Sequence, residues 1–214
     1  LKEAGVKLLY HHHLFDCVKN GDTIEAVVLF SKSGLTAVKG DVFIDCSGDA
    51  DLAAKAGGQI EFGNDEGFCQ PMTLCFKLEN VNLADEFDND PWKLRKVLTE
   101  VYLEAKEKGE VDCPREDILL FPTRDPKVIH FNTTRVIKHS ALDGMALSEA
   151  EVIARDQIRQ LMKLFNEKVP AMKNATLRSM GAHIGVRESR RVIGENFIGL
   201  EAFEQRAKFA DSIA

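Results

Sequence analysis

The most constraining feature of the sequence is a short, continuous apolar run that stops abruptly at small residues. Val42-Phe43-Ile44 lies between Gly40-Asp41 and Ser47-Gly48-Asp49, and a helical pattern follows over residues 50–56. An apolar run without polar alternation is typical of a strand that is covered on both faces, as in a parallel sheet. We therefore predict a buried strand at 42–44 that leads through a tight turn into a short helix.

Short apolar runs and turn residues predict most of the remaining strands. Asn20-Gly21 lies between two such runs and is a strong hairpin signal, so residues 13–38 are predicted to form an antiparallel meander. Further strands are predicted at 6–10, 72–78, 118–121, 128–134, 176–184 and 191–197.

Two long helices are predicted from their start signals. Asp90-Pro91 begins a helical pattern that ends at Gly109, with Asp90 as the capping residue. Ser148–Glu151 matches a capping box for a second helix that stops at Pro170, and a short third helix is predicted at 200–209. These patterns together predict an α+β, or mixed α/β, fold with two main helices and an antiparallel or mixed sheet.

Charge and composition exclude several classes of protein. Of 214 residues, 28 are Lys or Arg and 34 are Asp or Glu, and the formal net charge of −6 argues against nucleic acid as a partner. No apolar stretch approaches the roughly 20 residues that span a bilayer, so no membrane partner is expected. The five cysteines include no Cys-x-x-Cys pair, which argues against a disulfide scaffold or zinc site and favours a reducing, cytoplasmic location.

Two segments carry residues suited to ligand binding. A strand that ends in Ser47-Gly48 at a helix start presents backbone amides with no Cβ to block a ligand, although an ordinary tight turn has the same sequence. Arg187, Arg190 and Arg191 lie within five residues of one another and could hold an anionic group through their guanidinium forks. The alternative is that these arginines pair with acidic side chains of the chain itself.

Histidines supply the acid–base candidates, because imidazole titrates near neutral pH. His183 ranks first because it lies beside the arginine-rich segment, and His130 is the second candidate; each could equally be a structural residue of a strand or loop. His11-His12-His13 has no obvious acidic or cysteine partner nearby, so no metal site is assigned.

The 42–51 segment resembles the second FAD-contacting motif of the FAD-dependent oxidoreductases built like glutathione reductase. In that family a β-meander leads into a strand that ends in Ala-Thr-Gly-Asp beside the flavin, and this chain has Cys46-Ser47-Gly48-Asp49 at the corresponding place. The resemblance implies that Ser47, Gly48 and Asp49 border FAD.

The resemblance extends over nearly the whole chain. The 5–10 segment and the Asn20-Gly21 hairpin fit the same layout, and the arginine-rich block resembles a segment of the subfamily with a long inserted substrate domain. The segments Phe131–Arg135 and Val169–Met172 also lie where similar segments are expected. The implied domains are a remnant of the FAD-binding domain at 1–58 and a substrate domain at 59–214, and Arg135 joins the three arginines as a substrate-binding candidate.

One family motif is missing from this sequence. No Gly-x-Gly-x-x-Gly follows an opening strand, and that loop holds the FAD pyrophosphate in the family. The sequence therefore resembles the middle of a flavoenzyme, and we expect it to be inactive and without FAD when isolated.

Two functions follow as hypotheses. In the first, the parent enzyme transfers a hydride between a small anionic substrate and the flavin. The second is a non-enzymatic α+β module that binds an acidic ligand or protein. Strand edges left without partners would favour association into a homo-oligomer.

Overall fold

The computed structural model describes residues 2–195 and 198–210, which fall into two compact units. The first unit runs to Glu61 and resumes at Arg190, and the second comprises Phe62–Ser189. The strands are β1 (His13–Asn20), β2 (Thr23–Ser31), β3 (Gly34–Lys39), β4 (Ile60–Phe62), β5 (Phe76–Glu79), β6 (Leu120–Pro122), β7 (Ile129–Phe131), β8 (Thr176–Met180) and β9 (Arg190–Val192). The helices are α1 (Asp51–Lys55), α2 (Ala84–Phe87), α3 (Pro91–Glu107), α4 (Gly144–Lys168) and α5 (Leu200–Glu204). Helices and antiparallel sheets are mixed, as the predicted α+β class requires.

In the first unit, β1, β2 and β3 form the predicted antiparallel meander. Asn20 pairs with Thr23 across a turn in which Gly21 has a φ of +59°, a conformation that glycine adopts without steric cost. α1 follows the meander, and β4 pairs with β9 in a separate two-stranded sheet. The domain boundaries 1–58 and 59–214 assign functions as well as folds, and they remain predictions.

Two predicted strands are absent from the first unit. Residues 42–44 form no strand, and the side chains of Val42 and Ile44 are 80% and 82% exposed. Residues 6–10 likewise form no strand. A strand exists only through backbone pairing, and the described residues provide no partner for either segment. The prediction of a buried strand at 42–44 is therefore wrong for this structure.

The second unit is built on an antiparallel four-stranded sheet in the order β6-β7-β5-β8. Phe76 of β5 stacks on Phe131 of β7 with ring centroids 5.0 Å apart, and Phe131 lies 6.0 Å from Phe165 of α4. The buried residues of α3 and α4 join the same hydrophobic cluster as the buried side chains of these strands. The two helices therefore cover one face of the sheet.

The predicted strands of this unit are shorter than expected. The predictions at 72–78, 118–121, 128–134 and 176–184 overlap β5, β6, β7 and β8, although β5 and β6 each end one residue later than predicted, and single bridges continue the pairing at Met72 and Thr73. In the first unit, the predicted strand at 191–197 corresponds to β9, but Asn196 and Phe197 lie outside the described residues.

The start of α3 is confirmed and the start of α4 is corrected. The Asp90 side chain accepts a hydrogen bond from Trp92 N at 2.8 Å, and Pro91 is the first helical residue. α4 begins earlier than predicted, because Asp143 is its cap and accepts from Ala146 N at 2.7 Å. Ser148 therefore lies within the helix, exposed to solvent, and caps nothing.

These two candidate caps of α4 can be separated by mutation. We expect Asp143→Ala to destabilise the protein by about 1 kcal/mol, the usual cost of losing a side-chain cap. Ser148→Ala is expected to change stability by less than about 0.5 kcal/mol, as for an ordinary exposed position. Urea unfolding followed by circular dichroism measures both, and a larger loss in Ser148→Ala would contradict the assigned cap.

Candidate functional site

In the first unit, the turn before α1 is held by two of its own side chains. One Asp45 carboxylate oxygen accepts from Ser47 N at 2.9 Å, and the other accepts from Leu52 N and Ala53 N, both at 3.0 Å. The Ser47 hydroxyl oxygen accepts from Asp49 N at 3.3 Å and from Asp51 N at 2.9 Å. The free amides at the start of this helix are therefore already satisfied within the chain.

The Asp45 carboxylate is the charged group of this turn. Desolvation tends to raise the pKa of Asp45, but hydrogen bonds from Ser47, Ala53 and Leu52 together lower the pKa below its ordinary value. Asp45 is thus ionised at neutral pH, and its negative charge lies where the helix dipole stabilises it. An external phosphate would have to compete with this carboxylate for the same amides.

The backbone at Gly48 is bare and open. Gly48 has a φ of +81°, and a Cβ built on it would meet no atom within 4 Å. Ser47 and Gly48 are exposed, and Asp49 is half-buried. The corner formed by residues 47–49 is therefore sterically open to a ligand, although its backbone amides are bonded within the chain, and its contact with a flavin stays a prediction.

Arg190 belongs to the same corner. Its Nε donates to the Asp49 carbonyl oxygen at 2.8 Å, and its Nη2 pairs with the Asp51 carboxylate. Its side chain is only 18% exposed. Arg191 lies 3.5 Å from the Glu61 carboxylate. Both arginines thus have acidic partners within the first unit, and their assignment to an anionic substrate stays a prediction.

The other predicted residues lie on the second unit, on the sheet face opposite the helices. In the row formed by Phe121, His130, Lys77 and Ser179, neighbouring residues are paired across β6, β7, β5 and β8. Residues next to this row in each central strand are buried, whereas Lys77 is exposed and His130 is half-buried. His130 therefore points away from the hydrophobic core.

A second row on this face contains Arg135. Met72 bridges to Val136 and Thr73 bridges to Gly185, so the antiparallel register places Thr73 between Arg135 and Gly185. Met72 and Val136 are buried beneath the row. We call the two rows together with Arg187, two residues after Gly185, the outward face.

Arg187 joins the outward face by alternation. Ile184 is buried and Val186 packs against the core, whereas Gly185 and Arg187 are exposed. Among residues 2–195 and 198–210, no acidic side chain forms an ion pair with Arg187. Arg135, by contrast, pairs through Nη1 with Glu116. The outward face thus presents one guanidinium with an acidic partner and one without.

The two histidine candidates differ in their surroundings. His130 lies 6.1 Å from the Phe121 ring, and burial together with the Lys77 charge lowers the pKa of its imidazole. The His183 side chain is 92% exposed, and its Nδ1 lies 4.0 Å from a Glu151 carboxylate oxygen. His130 is therefore neutral at physiological pH and able to accept a proton.

Four residues important to these sites are missing from the sequence-based candidates. Asp45 could have been found from its position two residues before Ser47, which is typical of an Asx turn. Thr73 and Lys77 become visible only when the strand register is known. Glu151 was interpreted as part of a capping box, and its actual contact is with a distant backbone amide.

Two negative findings apply to the described residues. No group of three or more His, Cys, Asp or Glu side chains there is placed to hold a metal ion. None of the helices described is both long enough and apolar enough to cross a bilayer.

The comparison with family models agrees with the resemblance seen in the sequence. A family model described as FAD dependent oxidoreductase matches residues 1–214. Among solved structures, a triple mutant of the flavin-dependent brominase Bmp2 matches with a TM-score of 0.39 and 15% identity. That match covers 81% of this chain and 39% of the brominase chain. No match was found among curated proteins.

Proposed function

Because this chain belongs to the FAD-dependent oxidoreductase family, we propose that it is part of an enzyme that transfers a hydride between a small anionic substrate and the flavin. When bound, the flavin supplies the redox chemistry, and the protein supplies binding, orientation and electrostatics. The family membership supports the cofactor. The substrate class rests on the outward face.

The corner at residues 47–49 fits the flavin. The open space in front of Gly48 admits a flat ring close to the main chain, which a side chain would prevent. The Ser47 hydroxyl accepts two backbone bonds and still has its hydrogen to donate. Arg190 stabilises the conformation of this corner, because it pairs with the Asp51 carboxylate and donates to the Asp49 carbonyl oxygen. We assign Ser47, Gly48 and Asp49 to the flavin contact.

The outward face is suited to a small anion. Arg135, Arg187 and Lys77 give it three cations, and Thr73 adds a hydroxyl between Arg135 and Gly185. Guanidinium groups bind carboxylate or phosphate through two parallel hydrogen bonds, which orients the anion as well as holding it. The presence of these cations on one exposed face is the observation that carries the substrate proposal.

His130 is the residue that we propose to exchange a proton with the substrate. Its imidazole is neutral, half-buried and adjacent to Lys77 on the same face as the arginines. Hydride removal from a carbon bearing a hydroxyl or amino group releases a proton, which a neutral imidazole accepts; in the reverse direction the protonated imidazole returns it. His183, which ranked first from the sequence, becomes the second candidate, because its side chain is 92% exposed.

A titration with an oxyanion tests whether the outward face binds anions. We expect the wild-type chain to bind inorganic sulfate there, and Arg187→Gln or Arg135→Gln to weaken binding about tenfold, as for loss of a charge-assisted hydrogen bond. Chemical shifts of the arginine Nε–H groups report the binding. Arg159→Gln is the control, because Arg159 lies on α4 and pairs with Asp156. Sulfate binding that is unchanged in both face variants would overturn the proposed substrate site.

A further inference from the structure

We infer that Glu151 is a positioning residue, which fixes the Gly181–Arg187 segment from α4 and so sets the directions of His183 and Arg187 on the outward face. The effect of Glu151 on anion binding rests on the proposed function. The contact between Glu151 and the Ile184 amide does not depend on that proposal.

The Gly181–Arg187 segment leaves the regular sheet. Gly181 N donates to the Cys75 carbonyl oxygen at 2.9 Å, and Gly185 exchanges two backbone bonds with Thr73, at 2.8 and 3.1 Å. One residue, Leu74, thus lies opposite three residues, 182–184. Both backbone groups of Leu74 are bonded to the Thr134 hydroxyl, on the other side of the strand. The amide of Ile184 therefore has no strand partner within this excursion.

Glu151 satisfies that amide. Its Oε1 accepts from Ile184 N at 2.6 Å, and its other oxygen pairs with Arg155 one turn further along α4. The Glu151 side chain is only 21% exposed, and the Ile184 side chain is buried in the core. A carboxylate held on both sides in this way is a fixed acceptor rather than a mobile surface charge.

The charge of Glu151 is secured by its neighbours. Desolvation tends to raise the pKa of Glu151, but Arg155, the Ile184 amide and His183 outweigh it and lower the pKa below its ordinary value. The same Oε1 that binds Ile184 lies 4.0 Å from His183 Nδ1. The same carboxylate oxygen of Glu151 thus accepts the hydrogen bond from Ile184 N and lies near the imidazole of the preceding residue, His183.

The excursion has little freedom once this contact is made. A Cβ at Gly181 would lie 3.1 Å from the His183 carbonyl oxygen and 3.2 Å from a Leu74 methyl, so the loop is folded tightly on β5. After Gly185, the Glu188 carboxylate accepts from Gln70 N at 2.9 Å. Arg187 lies between these two carboxylate anchors, and only the backbone bonds of Gly185 to Thr73 separate it from the first one, so we expect the loss of that anchor to loosen the arginine on the face.

Hydrogen exchange tests the contact directly. In Glu151→Ala, we expect the Ile184 amide to exchange at least about tenfold faster than in the wild type, because a bond to a charged acceptor is lost. Glu151→Gln keeps an oxygen that accepts from Ile184 N and should restore most of the protection. Glu149→Ala is the matched control: Glu149 lies on the same helix, and its carboxylate is 3.5 Å from His139 Nε2.

Sulfate affinity, measured on the same variants, separates the two proposals. We expect Glu151→Ala to weaken sulfate binding about three- to tenfold, with recovery in Glu151→Gln and no change in Glu149→Ala. Unchanged exchange at Ile184 in Glu151→Ala would overturn the inference. Faster exchange with unchanged sulfate affinity would overturn the link to Arg187. A wild-type chain that binds no sulfate would overturn the proposed function while leaving the exchange result intact.

Discussion

In the full-length parent enzyme, replacing Gly48 with valine is expected to lower the flavin content of the purified protein at least about tenfold, because a β-branched residue is strained at a φ of +81° and fills the space that the ring requires. Apart from its two chain neighbours, no atom of the described residues lies within 4 Å of the Cβ position, so the new side chain would project into the open corner rather than into the protein. The measurement is flavin absorbance per mole of purified protein. It does not depend on knowing the substrate.

A matched glycine separates the ligand effect from backbone strain. Gly34, the first residue of β3, has a φ of +97° and also has open space in front of its Cβ position. Gly34→Val should therefore carry similar backbone strain and leave the flavin content within about twofold of the wild type. Equal losses in both variants would show a general folding defect. Full flavin content in Gly48→Val would remove Gly48 from the site.

Local signals predicted the elements whose formation depends on nearby residues. The meander followed from Asn20-Gly21, since a two-residue turn fixes the register of the strands on either side. The start of α3 followed from Asp90-Pro91, where the capping side chain is two residues from the amide it satisfies. Both signals act within a few residues, so the structures that they favour depend little on the rest of the chain.

Signals that depend on distant partners were less reliable. The apolar run at 42–44 has the composition of a buried strand, but burial requires neighbours that the described residues do not provide. The prediction of a capping box at Ser148–Glu151 was wrong, because Ser148 lies inside α4 and caps nothing. Asp143 caps α4 one turn earlier, and packing of the longer helix left Glu151 free to bind Ile184.

In the candidate site, too, residue identity could be predicted from the sequence and spatial placement could not. Residue type drew attention to Arg187 and His130, although structural roles were equally open for both, and the family resemblance added Arg135. Their placement on one face could not be predicted, since it depends on the pairing of Met72 with Val136 and of Thr73 with Gly185. A shift of one residue in either pairing would turn the arginines toward the opposite face.

Gln157→Leu is expected to destabilise the second unit by about 2–4 kcal/mol, because it removes the partners of two backbone groups at once. Gln157 is buried on α4, its Oε1 accepts from Arg135 N at 2.8 Å, and its Nε2 donates to the Arg135 carbonyl oxygen at 2.9 Å. The neighbouring residue, Val136, bonds instead to Met72 in the sheet. The carboxamide therefore replaces a neighbouring strand along this stretch of chain.

Gln160→Leu is the control for this substitution, because Gln160 lies on the next turn of α4 and makes a comparable pair of bonds nearer the surface. Its side chain accepts from Asp112 N at 2.7 Å and donates to Asp156 at 2.5 Å. Because the Asp112 amide and the Asp156 carboxylate can form hydrogen bonds with water instead, we expect the free energy of unfolding to fall by less than about 1 kcal/mol, as measured by urea unfolding. Equal losses in the two variants would contradict the special role of Gln157. A loss confined to Gln157→Leu, accompanied by weaker sulfate binding, would tie the stability of this strand edge to the orientation of Arg135.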